Sequence, residues 1–226
     1  YDFAYYRSAF GLRRLQRFSC LVCHRGWGKT TLCVNHLTQR ATKTPDGRFA
    51  YIGPLYRQVK QAAWDALKVA AEGAEFSEGE LSAEFPNRAR IQLFGADNYQ
   101  ALRGMHLDGI VLDEYASMNP AAWTEGIRPA LSVKRGFAVF IGTPLGRNHF
   151  YRLYQSALTD PEWFHALYRH GDSGVLPDSE IEIARRQMTE DHFAQEYECS
   201  FEAAIQGAFY ARQLEVARAE GRITPL

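Results

Sequence analysis

The chain has 226 residues, enough to bury a substantial core as one domain with a small appendage. Its 26 basic and 26 acidic residues cancel, whereas a dedicated high-affinity DNA-binding domain is usually basic. No apolar run approaches the roughly 18 residues that a membrane span requires. The composition therefore favours an ordinary globular protein and gives no support to a membrane protein.

Hydrophobic spacing predicts an alternation of strands and helices along most of the chain. The lead-in 1–17, rich in aromatic residues and arginine, is expected to be a helix that covers the sheet edge. The segment 73–90 is expected to form an edge hairpin, and 97–104 a polar loop or short helix. Strands that alternate with helices predict a mostly parallel, doubly wound α/β sheet. The predicted strands are 18–23, 49–52, 90–94, 109–112 and 136–141, and the predicted helices are about 29–42, 56–72 and a segment that starts at Asn119-Pro120.

The character of the sequence changes at residue 163. A predicted strand at 163–168 and a turn at 172–174 are followed by two predicted helices, which begin near Asp178 and Thr189. We therefore predict a core at 1–162, followed at 163–226 by a small C-terminal lid subdomain and the start of a linker.

Two of the four cysteines, Cys20 and Cys23, have the C-x-x-C spacing of some zinc and redox sites. They lie inside a predicted strand, however, where an offset of three places side chains on opposite faces. The sequence also has no second pair to complete a tetrahedral zinc site. The pattern favours buried thiols in a reducing cytosol.

The most informative stretch is Cys23-His-Arg-Gly-Trp-Gly-Lys-Thr30, between the first predicted strand and helix. Strand, glycine-rich turn, Lys-Thr and helix is the order of a phosphate-binding loop, the Walker A motif, in which backbone N–H groups and lysine bind phosphates and threonine binds Mg²⁺. Cys23 stands where the standard motif has glycine, and a chance Gly-Lys-Thr is the alternative interpretation. The predicted nucleotide-binding residues are Arg25, Gly26, Trp27, Gly28, Lys29, Thr30 and Thr31, and Thr30 is also a predicted metal ligand.

An apolar strand that ends in adjacent carboxylates, Asp113 and Glu114, supplies the other half of an ATPase site, the Walker B motif. Asp113 is predicted to bind Mg²⁺ through its water shell, and Glu114 to orient and polarise the attacking water. Two solvated acids at a surface strand end are the alternative. The combination of both motifs in this order favours the ATPase site.

Three further residues are candidates for the same chemistry. Thr143, at the end of the strand 136–141, is placed to sense the hydrolytic water or the γ-phosphate. The alternative is a simple β-turn, because Gly-Thr-Pro is a sequence that favours turns. Arg103 is placed to reach the γ-phosphate of a neighbouring subunit, with a surface salt bridge as the alternative. Arg25 either contacts phosphate in its own subunit or stabilises the loop.

Taken together, the motifs resemble the large terminase subunit of tailed bacteriophages, a family of DNA-packaging motors. The resemblance runs from about Phe18 to Tyr210. It implies a P-loop ATPase of the additional-strand (ASCE) class and a lid subdomain, followed in the family by a nuclease domain. The segments that carry it are 23–30, Leu102-Arg-Gly104, Gly109-Ile-Val-Leu-Asp-Glu-Tyr115, Ile141-Gly-Thr-Pro144, Gly146-Arg-Asn-His-Phe-Tyr151, Gln195-Glu-Tyr197 and Gly207-Ala-Phe-Tyr210.

The resemblance implies that ATP and Mg²⁺ are the cofactors and that ATP hydrolysis drives viral double-stranded DNA into the procapsid. Glu114 would be the catalytic glutamate, Arg103 a trans-acting arginine finger and Thr143 the coupling residue. The implied partners are double-stranded DNA, other copies of the chain in a ring (commonly a pentamer on the portal), the portal protein and the small terminase subunit. The implied location is the cytoplasm of the infected bacterial host, transiently at the procapsid portal.

Two departures from the family pattern are visible. Members of the family often have an upstream segment in which a glutamine recognises the adenine base. In this sequence Gln16 is the only glutamine near the corresponding position. The chain ends at Leu226, where the nuclease domain is expected to begin, so we expect ATP hydrolysis without DNA cleavage. Two other functions remain open: a helicase-like DNA-dependent ATPase, which would need a second motor lobe, and a non-hydrolysing ring-assembly or portal-binding module.

Overall fold

The computed structural model describes residues 16–202, together with Ala217 and Arg222. The predicted lead-in helix and the segment Gly207–Tyr210 therefore lie outside the described residues. The strands are β1 Phe18–Cys23, β2 Arg48–Gly53, β3 Glu75–Ser77, β4 Ser82–Glu84, β5 Arg90–Gly95, β6 Gly109–Asp113, β7 Phe137–Gly142 and β8 Trp163–Tyr168. The main helices are α1 Lys29–Lys43, α2 Tyr56–Ala70, α3 His149–Thr159, α4 Asp178–Gln187 and α5 Glu190–Tyr197.

Shorter helical segments connect these elements. The polar segment after β5 forms a 3₁₀ helix over Ala96–Leu102, which confirms the expectation of a loop or short helix. The helix predicted after Asn119 is instead a π-helical segment, Ala122–Ile127, continued by a single α-helical turn, Arg128–Ala130. Further short segments cover Tyr115–Ser117 and His170–Ser173.

Within the described part of the chain, all eight strands form one sheet in the order β3-β4-β5-β2-β6-β7-β1-β8. The six strands from β5 to β8 in this order are parallel. The β3–β4 hairpin adds an antiparallel edge next to β5. The predicted mostly parallel sheet and edge hairpin are confirmed. One strand, β7, lies between the strand of the glycine loop and the strand of the paired carboxylates, as the additional-strand class requires.

The sheet is covered on both faces. One apolar cluster contains Leu21, Cys23 and the buried faces of α1 and α2, and a second contains Cys20, Val22 and the buried face of α3. Strand β1 is buried along its whole length, as expected for a central parallel strand with helices on both sides. The faces of Cys20 and Cys23 are therefore opposite, and all four cysteines are free and buried.

Strand β8 corrects the placement of one predicted element. The segment 163–168 is a strand, but it pairs in parallel with β1 along its length, from Trp163 beside Phe18 to Tyr168 beside Cys23. It therefore belongs to the core sheet, whereas the sequence pattern places it in the C-terminal subdomain. The helices α4 and α5 follow and share a small cluster of their own, formed by Ile181, Ala184 and Phe193.

The second of these helices begins as the sequence predicts, because the Thr189 side chain caps it by accepting a hydrogen bond from the backbone of His192. Among the described helices, none combines the length and hydropathy that crossing a lipid bilayer demands.

Candidate functional site

The carboxyl ends of β1, β7 and β6 meet at one edge of the sheet, where open α/β sheets bind ligands. A cleft of about 500 Å³ opens there. It is lined by the glycine loop, Glu114 of the carboxylate pair, the end of β7 and the helix α5. The lining residues are Arg25, Gly26, Gly28, Lys29, Thr30, Thr31, Glu114, Ser117, Thr143, Pro144, Leu145, Gln195 and Glu196.

Lys29 is at the centre of this cleft, as the first residue of α1. Gly28 precedes it with φ 94°, a left-handed conformation that glycine adopts without a steric penalty. The Lys29 side chain is only 9% exposed. Its Nζ lies 3.0 Å from Thr143 Oγ1, 3.4 Å from the His24 carbonyl and 3.6 Å from Glu114 Oε1. A buried ammonium with one loose carboxylate partner, at a helix N-terminus, is suited to bind phosphate.

Asp113, the last residue of β6, is buried and held on both carboxylate oxygens. Its Oδ1 accepts a hydrogen bond from the Glu114 backbone at 3.0 Å, and its Oδ2 accepts one from Thr30 Oγ1 at 3.3 Å and one from the Tyr51 hydroxyl. Burial raises the pKa of the Asp113 carboxyl, while the Tyr51 bond and the charge of Lys29 act in the opposite direction.

The donor set formed by Thr30 and Asp113 fits a magnesium ion. Both offer oxygen ligands, and their side chains already touch. Mg²⁺ usually takes one or two carboxylates from a protein and fills its other positions with water and substrate phosphates. Among the described residues no group of three or more His, Cys, Asp and Glu side chains converges on a metal position. The pair Thr30 and Asp113 is therefore the candidate metal site.

Glu114 follows Asp113 in a strained conformation that aims its side chain into the cleft. Its φ of 53° is in the left-handed region, which costs a residue with a Cβ on the order of 1 kcal/mol or more. The side chain is 46% exposed, yet the surrounding protein removes enough water to raise its pKa, with Lys29 opposing the rise. A carboxylate beside Lys29 and open to water can act as a general base.

Thr143 lies at the end of β7, between the loop and the carboxylate pair. Its side chain is 8% exposed. The hydroxyl donates to the Cys23 carbonyl at 3.2 Å and accepts from Lys29 Nζ at 3.0 Å. Thr143 therefore contacts the lysine predicted to bind phosphate, which is more than a simple turn requires.

Arg25 links the glycine loop to α5. Its Nη1 lies 3.2 Å from Glu196 Oε2, and its backbone N–H donates to the Glu196 carbonyl at 2.7 Å. The Arg25 side chain is 68% exposed. Next to it, Gly26 has φ 79°, and a Cβ added there would lie 3.2 Å from Leu176. Arg25 thus borders the cleft while stabilising the loop, so both of its predicted roles are compatible with its position.

Trp27 is the predicted nucleotide-binding residue whose side chain the structure places elsewhere. The indole is fully buried in the core beneath the loop and stacks on Tyr168 at 5.2 Å between ring centroids. Its side chain is not among those that line the cleft, so the predicted contact of Trp27 with a nucleotide would have to be made by its backbone. The loop residue is apolar because it packs the loop onto β8.

Replacing Trp27 with alanine is expected to lower the free energy of unfolding by about 3–5 kcal/mol, the usual cost of deleting a buried tryptophan. Chemical denaturation of the wild type, Trp27→Ala and Trp27→Phe measures the effect, and phenylalanine should retain part of the stability. A loss below about 1 kcal/mol for Trp27→Ala would contradict the packing role, since surface substitutions are usually of that size or smaller.

Arg103 is on the surface, away from the residues that line the cleft. Its Nη2 lies 3.8 Å from Glu125 Oε2, with the two side chains 58% and 51% exposed. Glu125 also accepts a hydrogen bond from the Tyr99 hydroxyl at 3.1 Å. The adjacent Gly104 has φ 83°, so the loop turns sharply after Arg103. The surface salt bridge, which was the alternative to the predicted role, is present, and the side chain is still accessible to a second molecule.

The structure adds residues that the motifs did not reveal. Tyr51 contacts Asp113, Glu196 pairs with Arg25, and the buried His24 contacts Ser173 Oγ at 2.7 Å through its Nε2. Burial lowers the pKa of His24. Each of these contacts joins distant parts of the sequence. His24 lies inside the glycine loop and Glu196 inside the segment Gln195-Glu-Tyr197, whereas no motif contains Tyr51.

Comparison with known proteins places the chain in a family of viral proteins. The model of the family described as "Terminase large subunit, T4likevirus-type, N-terminal" matches residues 21–216. The large terminase subunit of Escherichia phage T5 is 33% identical over 141 residues, which are 60% of this chain and 31% of that protein. This chain therefore spans about a third of that relative.

Solved structures show the same fold. The large terminase ATPase domain of Thermus phage P74-26 superposes with a TM-score of 0.73 at 21% identity, over 87% of this chain and 97% of that one. The large terminase of another thermophilic bacteriophage, in complex with ATP-γ-S, superposes with a TM-score of 0.70 at 16% identity, over 88% of this chain and 51% of that one.

Proposed function

Because the chain belongs to the T4likevirus-type large terminase family, we propose that it is an ATPase whose hydrolysis of ATP powers translocation of viral double-stranded DNA into the procapsid. The observation that carries the proposal is the convergence of Lys29, Asp113, Glu114 and Thr143 at one edge of the sheet. The ATP-γ-S complex of the large terminase from a thermophilic bacteriophage supports ATP as the nucleotide.

In the proposed reaction Lys29 would bind the β- and γ-phosphates, and Thr30 and Asp113 would hold Mg²⁺, which would supply positive charge to offset that of the phosphates. Lys29 now contacts Glu114 at 3.6 Å. The phosphates would replace Glu114 as the anionic partner of Lys29. The Glu114 carboxylate would then be free to accept a proton from the attacking water.

Thr143 and Arg25 would couple nucleotide binding to the positions of other elements of the fold. Thr143 touches Lys29 directly, so a shift of the ammonium towards phosphate alters the end of β7. Arg25 is paired with Glu196 of α5, and a bound phosphate would compete with that carboxylate for the guanidinium. Both residues therefore join the phosphate position to another element of the fold.

The test is phosphate release by the wild-type protein with ATP, Mg²⁺ and increasing protein concentration, with a parallel reaction in excess EDTA. We expect hydrolysis that depends on Mg²⁺ and increases when duplex DNA is added. Binding of ATP without any hydrolysis, even in concentrated protein with DNA, would favour the non-hydrolysing assembly module. Stimulation by single-stranded but not double-stranded DNA would favour the helicase-like ATPase.

The partners follow from the same proposal. We propose duplex DNA as the translocated substrate, and a ring of copies of the chain, commonly pentameric in this family, docked on the portal protein. The small terminase subunit would deliver the viral DNA, and the assembly would form in the cytoplasm of the infected bacterium. The support for these partners is family membership, together with the exposure of the Arg103 side chain.

A further inference from the structure

The buried phenol of Tyr51 lies beside the candidate metal site without belonging to either nucleotide-binding motif. Tyr51 is in β2 and is 1% exposed. In the parallel register it is opposite Val111 of β6. Asp113 is two residues further along β6 and therefore on the same face of the sheet. The side chain thus reaches along the face to the end of β6, where its hydroxyl donates to Asp113 Oδ2.

The other partners of Asp113 show what this hydroxyl adds. Oδ1 is held by the Glu114 backbone, and Oδ2 also accepts the 3.3 Å bond from Thr30. Thr30 is itself a proposed metal ligand, so its hydroxyl serves the metal as well as the carboxylate. The Tyr51 hydroxyl contacts Asp113 from a ring that is locked into the core by its burial, so this donor stays in place when Thr30 binds the metal.

We propose that Tyr51 is a positioning residue for the metal site, whose hydroxyl fixes the rotation of the Asp113 carboxylate towards the metal position beside Thr30. This inference rests on the proposed function, because it assumes that the bound nucleotide carries Mg²⁺. Outer-shell hydrogen bonds of this kind orient metal ligands, and their loss typically lowers metal affinity by about 10- to 100-fold.

The alternative is that Asp113 merely satisfies the hydrogen-bonding need of a buried phenol. The two interpretations differ for Tyr51→Phe, which keeps the ring and removes only the hydroxyl. If the role is positioning, Asp113 Oδ2 is left with Thr30 alone, and the metal dependence of nucleotide binding changes. If the role is structural, only the stability of the protein changes.

The experiment titrates Mg²⁺ into wild type, Tyr51→Phe and a control, Tyr154→Phe, each with a fluorescent ATP analogue. Tyr154 is a partly buried tyrosine of α3 in the cluster on the opposite face of the sheet. We expect Tyr51→Phe to need about tenfold more Mg²⁺ for half-maximal binding. Its affinity for the analogue in EDTA should equal that of the wild type, and Tyr154→Phe should leave both quantities unchanged.

Combining Tyr51→Phe with Asp113→Ala tests whether the phenol acts through Asp113. In the Asp113→Ala background, removal of the hydroxyl should cause no further change in Mg²⁺ dependence, because coupled residues are not additive. Should Tyr51→Phe prove too unstable to titrate at room temperature, it is compared with the wild type at a lower temperature, together with Tyr51→Leu, which also lacks the hydroxyl. An unchanged Mg²⁺ midpoint in whichever of these variants folds would overturn the proposal.

These outcomes are distinct from failure of the proposed function. If the wild type binds the analogue without any dependence on Mg²⁺, the magnesium-dependent ATPase itself is wrong. If the wild type depends on Mg²⁺ and the Tyr51 variants have the same midpoint, the ATPase proposal stands and only the positioning role of Tyr51 is lost.

Discussion

Glu114→Gln is expected to slow ATP hydrolysis by about 10²- to 10⁴-fold, the usual contribution of a positioned general base. The amide has nearly the size and shape of the carboxylate but cannot accept a proton from the attacking water. Binding of ATP should persist, since Lys29, Thr30 and Asp113 are untouched. It should even tighten slightly, because the carboxylate that now contacts Lys29 at 3.6 Å no longer competes with phosphate.

Phosphate release gives the rate for this comparison, and a fluorescent ATP analogue gives the affinity. Glu84→Gln is the matched control, because Glu84 is an exposed glutamate on the edge strand β4 and its replacement should change neither quantity. A Glu114→Gln protein that hydrolyses ATP at the wild-type rate would exclude Glu114 as the base. If Glu114→Gln loses both ATP binding and ATP hydrolysis, the substitution has disturbed the cleft.

Much of this site could be predicted because it depends on local sequence. The buried strands β1, β6 and β7 are runs of apolar residues, and parallel strands bring their carboxyl ends to one edge. Once the order of the elements was known, Lys29, Asp113, Glu114 and Thr143 had to lie close together. Glycine at position 28, where φ is 94°, is likewise visible in sequence as a requirement of the turn.

The remaining features depend on contacts between distant segments, which local patterns do not encode. Trp27 lies within the glycine loop, yet its side chain packs on Tyr168 because β8 pairs with β1. A six-residue apolar strand does not specify its partner, so β8 was assigned to the wrong part of the fold. The contact of Tyr51 with Asp113 requires the β2–β6 register, and the pair Arg25–Glu196 requires the position of α5.

Arg103→Ala is expected to reduce ATP hydrolysis by about 10³-fold or more in assembled protein, if Arg103 acts as an arginine finger on a neighbouring copy. The exposed position of Arg103 leaves its guanidinium accessible to another copy. Arg103 is 58% exposed and its partner in this chain is Glu125 at 3.8 Å, a separation at which an exposed ion pair contributes little stability. The wild-type rate should therefore increase more than linearly with protein concentration, and the Arg103→Ala protein should lose this increase.

Mixing two inactive variants separates action between copies from a structural role. The Arg103→Ala chain keeps an intact Glu114, and the Glu114→Gln chain keeps an intact Arg103, so a mixture should regain activity that neither has alone. Glu125→Gln is the matched control, because it breaks the surface ion pair but keeps the guanidinium, and it should remain active. If Glu125→Gln is as impaired as Arg103→Ala and the mixture stays inactive, the ion pair with Glu125 is what matters and Arg103 is not a finger. If the mixture recovers and Glu125→Gln is active, each cleft is completed by the arginine of its neighbour, and hydrolysis requires the ring.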